Sequence, residues 1–259
     1  MRTTTTRPAA RYLAPAFLAA IVLALWQAVC SLGLAPRQFL PAPLDLAIRF
    51  GRELAAGNLV RYAGTTLLEA LLGSLVAVLI AIPIGYLIAR VRWFDLAASP
   101  YIAASQAIPA IATAPLLALW IGYGLPPIVV LCAITAFFPM LVTTVLGVRQ
   151  LDRDVLDAAR LDGAGVLQRL VWIEAPLALP SVIAGIRAGA ALSITGAVVG
   201  EFTMGGKGLG MLLTLFRDAN DTEGIFATLL MLVALAVGLF VLLGLAERLL
   251  PAARSEGSR

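Results

Sequence analysis

The chain contains no histidine. That removes the commonest general base near neutral pH and the commonest metal ligand. Its two cysteines, Cys30 and Cys132, both lie inside apolar runs. They form no metal-ligand spacing and give no sign of a disulfide framework. Charged residues make up 13% of the chain, about half the usual share. No nucleophile constellation stands among them, so a membrane enzyme is the weakest class. No basic run is interleaved with aromatics, which argues against a nucleic-acid surface. The net charge of +4 is small and comes from arginines between the apolar runs. The stretch Gly205-Gly206-Lys207-Gly208-Leu209-Gly210 is rich in glycine but lacks the spacing of a nucleotide-binding P-loop. No internal repeat is visible.

What the chain has is apolar length. Hydrophobic residues are 61% of it and the mean hydropathy is +0.95, far above a soluble domain. Such a chain buries its surface in lipid. About 20 apolar residues in a helix cross a bilayer. On that scale the runs predict an all-α membrane protein with six transmembrane helices at 13–34, 62–89, 96–122, 127–148, 182–202 and 225–245. The first run is too long for the core of a cleaved signal peptide. A polar tail covers 1–11, the membrane domain 12–250, and a second polar tail 251–259. Between the first two spans, Leu44 to Ala56 is amphipathic and is expected to lie on the membrane surface.

Three spans carry features that need an account. Glu69 lies inside the second. It reads as a carboxylate that pairs with an arginine or is protonated, in preference to a residue of a translocation path. The third holds Pro100, Pro109 and Pro115, with Ser105, Gln106 and Thr113. Each proline frees a carbonyl, and such broken helices either kink for packing or line a path. The fifth carries Gly185-x-x-x-Gly189 and Gly196-x-x-x-Gly200, two small-residue faces for close helix contact, and is closed by Glu201.

The most informative stretch is polar, from Asp152 to Pro180. It predicts a short amphipathic helix with Val155, Leu156 and Ala159 on one side. Asp152 or Asp154 can cap its start, and Gly163 and Gly165 break it. A second short helix is expected from Val166 to Ile173, ending at Pro176.

Asp157-Ala158-Ala159, then Gly163, Ile173 and Pro176, resembles the Glu-Ala-Ala loop of binding-protein-dependent ABC importer permeases. Asp157 stands where that family usually has glutamate, and Ala175 where it has leucine. The stretch SQAIPAIATAPLLALWIGYG resembles the same family, in the branch serving nitrate, sulfonates, taurine, pyrimidine precursors of thiamin, and riboflavin. The resemblance, over residues 39 to 250, implies a type I ABC importer fold like that of the methionine importer permease. It implies that Asp157, Ala158, Ala159, Gly163, Ile173 and Pro176 couple the chain to an ATPase subunit. It also implies a homodimer, an extracytoplasmic substrate-binding protein, and a bacterial inner-membrane location. The chain binds no cofactor on this reading; ATP belongs to the partner.

Orientation has an independent argument. Thirteen of the nineteen basic residues fall on the side of the two termini and the 149–181 loop. The positive-inside rule makes that side cytoplasmic. Gln106, Thr113 and Glu201 are expected to border the path, because polar groups in lipid seek water or protein. A rival class is an ATP-independent secondary transporter or channel with Glu69, Arg187 and Glu201 as an ion path. Intramembrane charges are too few to favour it. The wording SQAIPAIATAPL and AVVGEF leans to a thiamin pyrimidine precursor or riboflavin as substrate.

Overall fold

A computed structural model describes residues 8–34, 36, 38–105 and 109–249. Among the described residues every regular element is helical. In order these are α1 (Pro8–Ser31), α2 (Pro43–Ala55), α3 (Asn58–Arg90), α4 (Arg92–Ser105), α5 (Ala110–Ile121) and α6 (Leu125–Arg149). Then come α7 (Arg153–Leu161), α8 (Val166–Arg169), a π turn (Leu170–Glu174), α9 (Ala175–Met204), α10 (Leu209–Asp218) and α11 (Thr222–Leu249).

Among the described residues four helices are long and apolar enough to cross a membrane: Asn58–Arg90, Leu125–Arg149, Val166–Met204 and Thr222–Glu247. They contain the expected second, fourth, fifth and sixth spans. The expected third span contains two helices, α4 ending at Ser105 and α5 starting at Ala110. Pro109 caps α5 with extended backbone (φ −66°, ψ 125°). Pro100 and Pro115 lie inside helices and do not interrupt them. A proline removes one hydrogen bond and can be absorbed within a membrane helix when the freed carbonyl finds another donor.

The second short helix does not end at Pro176. It widens into the π turn and runs on into α9. The five-residue spacing, with Ala175 N–H on Leu170 O, moves carbonyls away from the proline ring.

α6 is the central helix: half of its apolar window is buried, against 6% for α11. In lipid, helix association depends on close packing. α9 supplies it with Gly185, Gly189, Gly196 and Gly200, where an added Cβ would overlap Thr143, Met140, Thr135 and Ile128 of α6. These small-residue faces are thus contacts within one chain. Ile128, Leu131, Ile194, Ala197 and Met204 fill the core between the two helices. α10 is seated on α3 by Leu59, Ala63, Leu209 and Leu212. α2 is amphipathic as expected. Arg49 ties it to the start of α11 through Asp221, at 2.6 Å.

Candidate functional site

The polar unit 152–176 leaves α6 after three residues. Asp152 is its cap: the carboxylate accepts the Asp154 N–H at 2.9 Å. α7 then buries Leu156 and Ala159 and exposes Asp157 and Ala158. Asp157 pairs with Arg160 at 2.7 Å. α7 ends where Gly163 takes φ +80°. There Gly163 N–H donates to Arg160 O and Ala164 N–H to Ala159 O, which satisfies two carbonyls of the last turn. Gly165 N–H donates to the Gln168 side chain at 2.9 Å and starts α8.

This well-capped unit presents large apolar side chains outward. Leu161 is 89% exposed, Trp172 78%, Val166 72% and Leu167 71%. Ile173 is half-buried and Pro176 exposed. These side chains are free for contact with lipid or with another protein.

One acid of the unit is buried. Glu174 is 5% exposed, and its Oε2 accepts from Tyr86 Oη at 2.8 Å and Arg90 Nε at 3.0 Å. Arg90 Nη2 adds a contact at 2.8 Å. Tyr86 and Arg90 stand at i and i+4 on the last turns of α3, so one helix face delivers both. Beside them an apolar cavity of about 590 Å³ lies between α3, α6 and the start of α9. At the same end of the bundle, Arg149 of α6 pairs with Asp95 of α4 at 2.5 Å. Hydrogen bonds from Arg149, then Ser99, hold the Asp95 carboxyl below the usual carboxylate range.

A second polar cluster sits at the opposite end. Thr66, Glu69, Ala70 and Gly73 share one face of α3 at i, i+3, i+4 and i+7. Glu201, 1% exposed, accepts from Thr66 Oγ1 at 2.7 Å and from Gly210 N–H at 2.5 Å. Leu209 N–H donates to Thr66 Oγ1 at 2.8 Å. The glycine-rich loop therefore wraps a carboxyl. An added Cβ at Gly206, Gly208 or Gly210 would collide with Glu201. Glu69, 3% exposed, lies on the same face of α3 as Thr66, and its Oε2 has no hydrogen-bond partner among the described residues.

Comparison with known proteins decides the family. The model for binding-protein-dependent transport system inner membrane components matches residues 81–255, more than half of the chain. The chain belongs to that family. The permease is 44% identical over 230 residues to a riboflavin transport system permease protein of Chloroflexus aurantiacus, covering 89% of this chain and 86% of that one. It is 28% identical over 210 residues to a putative aliphatic sulfonates transport permease protein of Bacillus subtilis, covering 81% and 76%. Its fold matches a methionine ABC transporter in an inward-facing conformation with a TM-score of 0.67 at 18% identity, over 73% of this chain and 94% of that one.

In the permease, Asp157, Ala158, Ala159, Gly163, Ile173 and Pro176 are gathered in one unit, as their spacing suggests. Gln106 lies outside the described residues. Thr113 is half-buried on α5. Glu201 is enclosed by its own chain and has almost no surface of its own. Arg187 is on the same helix as Glu201 but 14 residues away, roughly 21 Å at 1.5 Å per residue. It donates to Glu247 at 2.8 Å and lies 4.3 Å over the Phe240 ring. Glu69, Arg187 and Glu201 therefore do not line up as one ion path. Sequence reasoning missed Glu174 with Tyr86 and Arg90. The available signal was an acid alone in the apolar stretch LVWIEAPLALP.

Proposed function

We propose that the permease is one of two identical six-span subunits of an ATP-driven importer in a bacterial inner membrane. Both termini and the 149–181 loop face the cytoplasm. Two ATPase subunits dock on the 152–176 units, and an extracytoplasmic binding protein delivers the solute from the other side. Closure of the ATPases on ATP draws the two units together and biases the spans between inward-open and outward-open states. ATP hydrolysis is the work of the partner. The observation that carries this reading is the exposed row Leu161, Val166, Leu167 and Trp172 on a capped, glycine-ended unit. An aromatic anchor such as Trp172 can carry a large share of the energy of a docking contact.

The solute is riboflavin or a pyrimidine precursor of thiamin, with nitrate, a sulfonate or taurine as the alternative set. The 44% identity to a permease named for riboflavin supports the first of these. Gln106 and Thr113 line the path, and Glu201 borders it from behind. With Cys30 and Cys132 removed, Thr113→Cys should react with a water-soluble thiol reagent in at least one nucleotide state; protection in every state would remove it from the path.

The test of function is uptake by proteoliposomes that hold the permease with its ATPase and binding protein. Uptake should require ATP and the binding protein, and should favour riboflavin or the pyrimidine over a sulfonate. Leu167→Asp should lose the ATPase on purification. Uptake that survives without ATP would favour the secondary-transporter class instead.

A further inference from the structure

We propose that Glu174 is the positioning residue through which movement of the 152–176 unit reaches α3, an inference that rests on the importer reading above. The unit has covalent links to two helices of the bundle. Gln150 to Asp152 join it to α6, and the π turn joins it to α9 without a break. Glycine contacts hold α6 and α9 together along their length, and Gly73 and Gly85 seat α3 on α6 in the same way. The unit has no chain connection to α3. Its direct polar contact with α3 is the Glu174 carboxylate, which takes hydrogen bonds from Tyr86 Oη and Arg90 Nε and a third contact from Arg90 Nη2 at the very end of that helix.

The space around this tie makes it mechanically distinct. Ile82, Tyr86 and Leu87 of α3 face Leu170, Ala178 and Leu179 across the apolar cavity of about 590 Å³. Close-packed surfaces transmit displacement through many contacts, and open space transmits none. Beside the cavity, the charge-assisted bonds at Glu174 are short and directional. A shift of the π turn therefore pulls on Arg90, the last residue of α3. Val91 then leads into α4, and α4 is tied back to α6 by Asp95 and Arg149. The π turn itself is a place where a helix can change register at low cost, and such turns recur at functional sites.

The experiment uses the complete complex, permease with ATPase and binding protein, in proteoliposomes. It reads assembly, ATP hydrolysis and solute moved per ATP. Glu174→Gln keeps the side-chain shape and one acceptor. It should assemble at the normal yield and hydrolyse ATP, while solute moved per ATP falls roughly tenfold. Arg90→Lys keeps the charge but loses the planar fork and should fall likewise. A merely structural role would lower yield, hydrolysis and transport together and leave the ratio alone. A normal ratio in Glu174→Gln would overturn the proposal, and so would loss of the assembled complex. Absence of ATP-driven uptake by the unaltered complex would instead overturn the importer reading.

Discussion

Gly163 holds φ +80° at the end of α7 and has open space where a Cβ would point. Strain, and not a clash inside the chain, is thus the first cost of a side chain there, about 1–2 kcal/mol for the left-handed conformation. The second cost lies outside the chain, because the position adjoins the exposed row Leu161, Val166 and Leu167. Gly163→Arg should therefore reach the membrane at near-normal level, yet lose both the co-purifying ATPase and uptake. Retention of both would remove the unit from the coupling path. Asp157→Glu should be silent in the same assays, since the exposed carboxylate needs only to reach Arg160 one turn away. These residues were legible in the sequence because caps and helix ends are local physics. Asp152, Ala159 and Gly163 act within a dozen positions of one another. Glu174 was not legible in the same way. Its partners Tyr86 and Arg90 lie 88 and 84 positions earlier in the chain, and no local pattern links an isolated acid to them.

At the scale of elements, length and apolarity foretold α3, α6, α9 and α11, because the bilayer fixes how many residues must be buried. The proline positions foretold the parting of α4 from α5 but overstated it, since only Pro109 ends up in extended backbone. The continuity of α8, the π turn and α9 was hidden, because a proline after a short helix reads as a stop unless the turn before it widens. The glycine-rich loop before α10 was legible as a loop and not as a wrapping around Glu201. The reason for its glycines is a side chain on the preceding helix. That arrangement makes a measurable prediction. Gly210 N–H is held by the Glu201 carboxyl, and Leu209 N–H by Thr66, which the same carboxyl orients. A hydrogen bond to a charged group contributes about 1.5–3 kcal/mol. Glu201→Ala should thus speed amide exchange at Leu209 and Gly210 by roughly 10- to 100-fold, with the α6 amides unchanged. Equal exchange in both proteins would mean that the loop is held by the apolar seat of α10 on α3 alone.

At the scale of the whole molecule, the two polar clusters stand at opposite ends of the bundle and do different work. One end bears the 152–176 unit with Arg90, Arg149, Arg153, Arg160 and Arg169 around it; the other bears the Glu201 loop with Lys207 and Arg217. This asymmetry of basic residues supports the proposed orientation, because arginine and lysine near span ends are retained on the cytoplasmic side. It agrees with the proposed docking, since an ATPase would reach the 152–176 unit from the cytoplasm. Glu201 and Gly163 provide the comparison. α9 carries the chain from the unit near Pro176 to Met204, 30 residues at 1.5 Å each, or roughly 45 Å, enough to cross the bilayer. With α9 spanning, the two sites are on opposite faces whichever way the chain is inserted. A reporter enzyme that folds only outside the cytoplasm, fused after Lys207, should be active. The same reporter fused after Gly163 should be silent, and one that works only in the cytoplasm should show the opposite pattern. Activity of the outer reporter at Gly163 alone would invert the orientation and leave the exposed row without its ATPase. Activity at both would mean that α9 does not span, and the coupling route from the unit through the bundle would fail with it.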